Sequence, residues 1–410
     1  MRYCNSLPGR HVAPQHPAAL GYLTPCYSLK LPVDCEIANR QGELIRVVES
    51  GDSRYIKDLI ASPRLRLPRE TTHPALNAFN MRPYLWIGTL TAAALGAQAA
   101  NFPIRNVYTF PNNTFIENIA VRSNSHLLVT SLSVPDLFAI DPSAASPTAS
   151  VVHTFPNASG LMGITEVKPD VFALVSGIWD LANTRAQLGS LAVWTIDLTG
   201  ASPVVSLVTS IQNSTIFNGL ARHPTNPRLL LAADSAIGAV WRVNLKTGAY
   251  SVAFSSPLLA PTGTAPGTNL GINGLKALGS HVYFTNSAQG FFGKVPIDGQ
   301  GNQAGTISVI SNSTGAGADV VYDDFALDKK LTGTGAWIAS HPSYAVRVAP
   351  NGSQYAVNDT TKLPNPTSAA LGRGSFVQEK TLYITNGGRF VLTDTGFDLV
   401  DGGVVAIDLI

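Results

Sequence analysis

Acidic and amide residues open several short apolar segments, where their oxygen atoms could act together. The clearest are Glu117, Asn218, Asn273 and Asp323. Hard divalent cations such as Ca²⁺ prefer carboxylate and amide oxygens as ligands. If these side chains converge without a metal, Glu117 and Asp323 should repel each other, and one of their pKa values should rise. At any single position, the alternative is a turn residue that only leads into a strand.

The elements that must position these residues belong to an internal repeat. A short alternating segment that ends in a turn-forming residue recurs six times, at intervals of about 50 residues, as expected of a strand. Its copies are 137–141, 193–197, 240–244, 294–298, 345–349 and 404–408. A second strand precedes each copy, at 127–131, 171–175, 229–233, 282–286, 336–340 and 382–386. A third strand opens each unit, at 117–121, 163–167, 218–222, 273–277, 323–327 and 368–372.

A fourth strand follows most units, for example at 151–155 and 250–254. Four strands per unit are typical of a propeller blade, so the sequence predicts an all-β, six-bladed β-propeller over 104–410. The sixth unit has only three strands before the chain ends at Ile410. The segment 106–111 resembles 152–156, the outer strand of unit one, and we expect it to close the ring as the outer strand of the last blade, pairing an otherwise open edge.

In such a fold the innermost strands begin near the central axis, on one face. The residues expected to converge there are Glu117, Glu166 or a neighbour, Asn218, Asn273, Asp323 and Ser368. Loops between second and third strands open on the same face, and they carry Trp179, Phe291, Phe292, Tyr344 and Arg389. Aromatic, poorly charged loops are typical of pockets for apolar ligands. The alternative is ordinary packing, and it is strongest for Phe291 and Phe292.

Other signals for chemistry are absent from the sequence. There is no Gly-x-Ser-x-Gly motif, no dinucleotide or Walker motif and no histidine-rich metal motif. The five histidines after residue 81 are scattered, and we expect most of them on surface strands or turns. A net charge of +2 argues against nucleic acid as a partner.

The strand-opening motifs resemble those of the gluconolactonase/regucalcin family of six-bladed propellers. The motifs are Asn218-Gly-Leu, Asn273-Gly-Leu, Asp323-Asp-Phe-Ala-Leu-Asp and Thr367-Ser-Ala-Ala-Leu-Gly. The resemblance covers about 104–410 and implies a divalent metal held by Glu117, Asn273 and Asp323, with Asn218 binding substrate. One residue departs from the family pattern, because Asp324 stands where a glycine usually follows the metal-binding aspartate.

Three longer segments, 106–111, 232–243 and 270–275, resemble a fungal secretory branch of these propellers. That branch includes the hetero-Diels–Alderases of tropolone sesquiterpenoid (meroterpenoid) pathways. The resemblance implies dehydration of a tropolone-type alcohol to an ortho-quinone methide, followed by addition to a humulene-type alkene.

Three functions therefore stay open. The first is a pericyclase that needs no cofactor, with a polar floor of Asn218 and Asn273 and aromatic walls from Trp179 and Tyr344; it would act by holding two small apolar substrates together. The second is a metal-dependent lactonase or esterase, with a cation such as Ca²⁺ on the residues named above. The third is a secreted propeller that binds a ligand without turnover.

The segment 81–99 has the pattern of a secretory signal peptide. A methionine and one arginine lead an apolar run that ends at Ala97-Gln98-Ala99 and is too short to span a membrane comfortably. Translation from Met81 would make 1–80, which holds all three cysteines, a gene-model extension or an unstructured leader; the alternative is an internal apolar helix. Six glycosylation sequons follow and support a secretory, secreted or vesicular route: Asn112, Asn157, Asn213, Asn312, Asn351 and Asn358. The sequence does not predict the oligomeric state.

Overall fold

The computed structural model describes residues 35–38, 44–47, 102–328, 334–375, 377–393 and 396–409. Contacts divide the chain into two units, Met1–Leu90 and Thr91–Ile410. In the first unit, the strands Cys35–Ala38 and Leu44–Val47 pair antiparallel. The predicted signal peptide lies outside the described residues. Among those residues, no helix has the length and apolar character needed to cross a membrane.

The second unit contains six four-stranded antiparallel sheets, here called blades 1 to 6 and given from the inner strand outward. Blade 1 consists of Ile116–Val121, Leu127–Ser131, Asp136–Ile140 and Ala149–Thr154. Blade 2 consists of Gly160–Lys168, Val171–Gly177, Leu191–Asp197 and Val204–Ile211. Blade 3 consists of Phe217–Arg222, Leu229–Asp234, Ala239–Asn244 and Tyr250–Ser255. Blade 4 consists of Ile272–Leu278, His281–Asn286, Phe291–Pro296 and Ser308–Asn312. Blade 5 consists of Val321–Asp328, Gly335–His341, Tyr344–Val348 and Gln354–Asn358. Blade 6 consists of Pro366–Leu371, Thr381–Asn386, Gly403–Asp408 and Ile104–Thr109.

Smaller elements decorate the loops. Two short hairpins join second to third strands, Trp179–Asp180 with Arg185–Ala186 in blade 2 and Arg389–Thr393 with Gly396–Val400 in blade 6. Three 3₁₀ turns lie at Pro257–Leu259, Ser313–Gly315 and Gln378–Lys380. The sequence pattern predicted neither hairpin.

The predicted six-bladed β-propeller is confirmed. Each inner strand contacts the inner strands of both neighbouring blades, and blade 6 contacts blade 1. In blade 6, the segment Ile104–Thr109 pairs antiparallel with Gly403–Asp408 and is the outer strand of the sheet. Apolar side chains from facing sheets fill the space between blades, as in the cluster that joins Phe292 to Phe325.

Every inner strand carries a register shift close to its start. The shifts fall between Ile116 and Asn118, Leu161 and Ile164, Phe217 and Leu220, Ile272 and Leu275, Tyr322 and Phe325, and Pro366 and Ser368. A bulge takes a residue out of the ladder and re-aims its side chain. In three blades a threonine hydroxyl of the second strand accepts the displaced backbone N–H, from Asn118 to Thr130, from Gly274 to Thr285 and from Ser368 to Thr385.

Close packing at the axis generates a test of the fold. An added Cβ at Gly219 would lie 2.4 Å from the Leu275 nitrogen and 2.6 Å from the Asn273 carbonyl oxygen. We expect Gly219→Ala to lower the free energy of unfolding by about 1–3 kcal/mol, because the neighbouring backbone must move.

The matched control is Gly299→Ala, since nothing lies within 4 Å of a Cβ at that position. Its effect should stay within about 0.5 kcal/mol. Urea unfolding of both variants measures the difference, and equal stabilities would contradict the close approach of blades 3 and 4.

Candidate functional site

The inner strands start on one face of the propeller, here called the mouth face. Because strands alternate in direction, second strands end there, third strands begin there and outer strands end there. The first bulged residue of each inner strand is Glu117, Met162, Asn218, Asn273, Asp323 or Thr367. All six are at most 9% exposed. Glu117, Asn218, Asn273 and Asp323, here called the mouth group, therefore hold equivalent positions in four blades, as predicted.

One of the predicted converging residues is wrong, and a second is displaced by one position. Glu166 lies near the far end of its strand, since that strand begins at Gly160; there it accepts a bond of 2.7 Å from Arg373. Met162 holds the equivalent position instead. In blade 6 the equivalent residue is Thr367, and Ser368 lies one position further along the bulge.

Three oxygen atoms of the mouth group are buried without a hydrogen-bond partner. They are Oδ1 of Asn218, of Asn273 and of Asp323. The Asn273 side chain is fixed by its other end, because Nδ2 donates to Ser287 Oγ over 2.9 Å. Buried acceptors without partners are costly, so these three oxygens are expected to be paired by water or by a ligand that carries donors or positive charge.

The ionised form of the Glu117 carboxyl group is unfavourable in the mouth group. Burial raises the pKa of Glu117 well above its ordinary value, and the nearby charges of Asp323 and Asp324 raise it further. Burial also raises the pKa of Asp323, although the bond from His341 opposes the shift. Without a cation, the folded protein therefore favours a protonated Glu117.

His341 joins this site, although its position in the sequence gave no indication of that role. Its Nε2 lies 2.9 Å from Asp323 Oδ2, and its ring is at the edge of the site with 31% of the side chain exposed. Burial opposes protonation, but the bond to Asp323 and the charge of that carboxylate raise the pKa of His341 overall. His223 is also buried, with 2% exposed, and it contacts the Asp298 carbonyl on the opposite face.

Directly after the mouth group, the next residue of each inner strand forms what we call the axial layer: Asn118, Gly163, Gly219, Gly274, Asp324 and Ser368. Asp324 is 1% exposed and accepts bonds from Lys276 Nζ at 2.8 and 2.7 Å. Asn118 Nδ2 and Ser368 Oγ each donate to it over 3.0 Å. The extra carboxylate is thus fully paired within the axial layer and is neutralised by Lys276, which comes from blade 4.

The two aromatic residues assigned to the pocket walls lie on the mouth face, outside the mouth group. Trp179 is held by its indole N–H, which donates to the Gly160 carbonyl over 3.1 Å. Tyr344 starts the third strand of blade 5, and its hydroxyl donates to Asp319 over 3.3 Å. Both side chains are partly buried, and Trp179 packs against the apolar cluster that contains Met162.

The other loop residues differ from one another. Phe291 and Phe292 start a strand and are 4% and 0% exposed, so they pack between blades rather than over the mouth. Arg389 lies at the base of the blade 6 hairpin and pairs with Asp401. The tip of that hairpin leaves Leu392 89% exposed.

A cavity of about 810 Å³ lies at the opposite face, where the inner strands end. Its walls include Val121, Glu166, Arg222 and Leu278, together with Lys276. The bond between Lys276 and Asp324 stands between this cavity and the mouth group. We therefore treat the two ends of the channel as separate spaces.

The residues of the mouth group fit a hard divalent cation such as Ca²⁺. Asn218, Asn273 and Asp323 each offer a buried, unpaired oxygen, and Glu117 could add a carboxylate. Among the described residues, no three His, Cys, Asp or Glu side chains are grouped so that they could hold a metal. A cation here would therefore depend on the amide oxygens. The same oxygens could instead accept hydrogen bonds from hydroxyl groups of a substrate.

Comparison with known proteins gives relatives at low identity. No protein-family model matches the chain. The chain is 27% identical over 338 residues to a protein of Sarocladium schorii named "Putative hetero-Diels-Alderase asR5", covering 75% of this chain and 83% of the relative. It is 25% identical over 343 residues to "Putative hetero-Diels-Alderase" of a Phoma species, covering 77% of this chain and 95% of the relative.

Two solved structures share the fold. A luciferin-regenerating enzyme matches with a TM-score of 0.53 and 15% identity, covering 75% of this chain and 95% of that chain. Regucalcin, a calcium-binding protein from Agrobacterium tumefaciens, matches with a TM-score of 0.50 and 16% identity over the same shares. At such identities the likeness shows the propeller fold alone.

The raised pKa of Glu117 predicts how stability depends on pH in chelator-treated protein. Because its folded pKa lies above the unfolded value near 4.5, the native state loses stability as pH rises from that value through the folded pKa. Glu117→Gln removes this loss. The stability of the variant relative to wild type should therefore grow between pH 4 and pH 8. The folding equilibrium constant should change about tenfold for each pH unit that separates the folded from the unfolded pKa.

Urea unfolding across that range measures this effect. Asp401→Asn, which alters a carboxylate whose side chain is 42% exposed, is the control and should show no comparable trend. A constant difference between Glu117→Gln and wild type would show that Glu117 titrates normally.

The buried ion pair of the axial layer gives a second prediction. Lys276→Met leaves Asp324 buried without its counter-charge, and we expect a loss of about 3 kcal/mol in the free energy of unfolding. Adding Asp324→Asn should restore part of that loss, since an amide carries no charge. Arg389→Met breaks an exposed ion pair and should cost less than about 1 kcal/mol. Equal losses for Lys276→Met and Arg389→Met would contradict the pairing described above.

Proposed function

We propose that the protein is a hetero-Diels–Alderase of fungal secondary metabolism, which joins a tropolone-type ortho-quinone methide to a humulene-type sesquiterpene. The observation that carries the proposal is the similarity to two proteins named as hetero-Diels–Alderases, which extends over three quarters of the chain. The mouth group supplies a polar site with unpaired acceptors that suits a hydroxylated aromatic partner. The proposal includes no required cofactor.

The chemistry asks little of the protein beyond binding and orientation. A benzylic alcohol with an adjacent ring hydroxyl loses one water molecule, which takes the benzylic hydroxyl and the ring-hydroxyl proton, and leaves an ortho-quinone methide. Its four-atom O=C–C=CH₂ unit then adds across one alkene double bond, forming one C–O and one C–C bond. Holding both partners in a reactive geometry can lower the barrier by several kcal/mol, about 7–11 in well-oriented model reactions.

In this proposal, polar residues of the mouth group bind the aromatic partner, and aromatic residues of the loops contact the apolar partner. The unpaired Oδ1 atoms of Asn218 and Asn273 accept from hydroxyl groups of the aromatic partner. The side-chain N–H₂ group of Asn218 donates to the oxygen of the quinone methide, where polarity changes most during the reaction. Trp179 and Tyr344 border the apolar partner, and their own hydrogen bonds fix their rings. The closed axial layer beneath keeps this site from opening into the cavity on the opposite face.

A divalent cation on Glu117, Asn273 and Asp323 would support the second candidate, a lactonase or esterase. The unpaired oxygens of Asn273 and Asp323 favour this alternative. A bound cation would supply Lewis-acid polarisation of a carbonyl group and a more acidic bound water. The departure at Asp324 does not remove a ligand, because its carboxylate is engaged by Lys276 within the axial layer.

The deciding experiment incubates chelator-treated protein with a tropolone benzylic alcohol and humulenol. We expect a single stereoisomer of the cycloadduct, formed faster than in buffer and without added metal. Asn218→Ala should lower the rate about 100-fold, the typical cost of removing one polar contact to a developing charge. Asn124→Ala, an exposed turn residue on the opposite face, is the matched control and should leave the rate unchanged.

The same preparation is tested on a panel of lactones with and without Ca²⁺. Chiral chromatography measures the cycloadduct, and pH-stat titration measures lactone hydrolysis. Hydrolysis that depends on the metal, with no enhanced cycloaddition, would overturn the first proposal and establish the second. Ligand binding without turnover in both assays would favour a non-enzymatic binding protein.

A further inference from the structure

The glycosylation sequons have a spatial order that their sequence positions do not reveal. Five of the six asparagines lie at the end of an outer strand or in the connection from it to the next inner strand. They are Asn112, Asn157, Asn213, Asn312 and Asn358, at the junctions of blades 6 and 1, 1 and 2, 2 and 3, 4 and 5, and 5 and 6. Each of these junctions is on the mouth face, and all five side chains are exposed. Asn351 lies in a turn between the third and fourth strands of blade 5, on the opposite face.

The junction without a sequon exposes apolar side chains, although it is not alone in lacking charge, since 110–115, 155–159 and 212–216 also contain no Asp, Glu, Lys or Arg. The connection 256–271 between blades 3 and 4 contains no Asp, Glu, Lys or Arg. Leu258 in this connection and Ile237 in the adjacent loop of blade 3 are 38% and 52% exposed. Its end is fixed to the blade 2 loop, because Asn269 donates to the carbonyl of Asn183 over 3.1 Å. The one junction that lacks a glycosylation sequon therefore also exposes apolar side chains.

We propose that N-linked glycans on these five asparagines form a ring around the mouth, and that the junction of blades 3 and 4 is the open side from which an apolar molecule reaches it. A glycan is bulky and hydrated, so it hinders the approach of large molecules to the loops beside it. One glycan per junction covers five of six sides. The glycans then hinder the approach of proteins to the mouth face, while the side without a sequon stays accessible.

The glycan ring itself stands independently of the proposed reaction, whereas the assignment of the open side to an apolar substrate rests on the proposed function. Glycopeptide mapping of the full chain, secreted from a filamentous fungal host, tests the ring. We expect an N-linked glycan, removable by endoglycosidase, on each of the five mouth-face asparagines: Asn112, Asn157, Asn213, Asn312 and Asn358. Unmodified asparagine at most of the five positions would overturn the proposal.

Accessibility is tested with cysteines introduced one at a time and a maleimide attached to a large polyethylene glycol. Leu188→Cys probes the covered side, because Leu188 is 64% exposed and lines the same cavity of about 400 Å³ as Asn157. Thr264→Cys probes the open side at an exposed position. All three native cysteines precede residue 81, so labelling is followed at the peptide that contains the new cysteine.

We expect the labelling of Leu188→Cys to become several-fold faster after the glycans are removed, and that of Thr264→Cys to stay unchanged. Pro266→Asn creates a new sequon, Asn-Gly-Thr, on the open side, and Pro266→Gln is its matched control. Pro266→Asn should slow the labelling of Thr264→Cys and the cycloaddition, whereas Pro266→Gln should do neither. Equal labelling of both cysteines before and after deglycosylation would overturn the ring.

These measurements separate the two proposals. A complete ring with no cycloaddition in any variant would refute the proposed reaction and leave the ring established. Cycloaddition that is unaffected by the added glycan of the Pro266→Asn variant would refute the open side as the route for substrate.

Discussion

The crowding of six inner strands around one axis is the constraint on which this structure depends. In the axial layer, three blades meet it with glycine: an added Cβ at Gly163 would lie 2.1 Å from the Asn218 carbonyl oxygen, and one at Gly274 would lie 2.8 Å from the Asp324 Cα. The other three blades carry Asn118, Asp324 and Ser368, which fill the remaining space and bond to each other. The axial layer is therefore closed by backbone contacts at the glycines of blades 2, 3 and 4 and by hydrogen bonds between the polar side chains of blades 1, 5 and 6.

That closure decides what the mouth group can do. Asp324 is paired with Lys276 and with neutral donors, but its charge still reaches the mouth group, since it helps to raise the pKa of Glu117. The unpaired oxygens belong to the layer above, where Asn218, Asn273 and Asp323 have no partner for Oδ1. A buried acceptor that no protein donor reaches is open to water or to a ligand donor, and a ligand that replaces the water must supply an equivalent hydrogen bond.

The repeat and the identity of the mouth group could be predicted from sequence because both are local patterns. Alternation within a strand and a polar residue at its start are visible at each of Glu117, Asn218, Asn273 and Asp323. The expectation for Glu166 was wrong because the blade 2 strand begins three residues before the pattern at Gly163, at Gly160. The expectation for Ser368 was displaced by one position because a bulge changes which residue faces the axis.

His341 and Lys276 could not have been found in the same way. Each meets its partner only through the fold: His341 reaches Asp323 from the neighbouring strand, and Lys276 reaches Asp324 from another blade. Their contacts depend on strand register and on blade order, which no short motif encodes. The metal-ligand resemblance, carried by single residues, gave no information on which charges would surround those residues.

The two oxygens of Asp323 place a cation and a hydroxyl donor in direct competition for the site. Oδ2 accepts a bond from His341, and the pKa of that histidine is raised, so the pair favours a positive charge beside Asp323. A divalent cation on Oδ1 would repel this imidazolium, whereas a neutral hydroxyl donor would not. The same argument applies to Glu117, whose raised pKa favours a neutral acid. In the metal-free protein, both shifts reduce the negative charge of the mouth group, and a bound cation would reverse them, because its charge favours the carboxylate forms of Glu117 and Asp323. The amide oxygens of Asn218 and Asn273 do not depend on this balance, so they can accept from a neutral, hydroxylated molecule in either state.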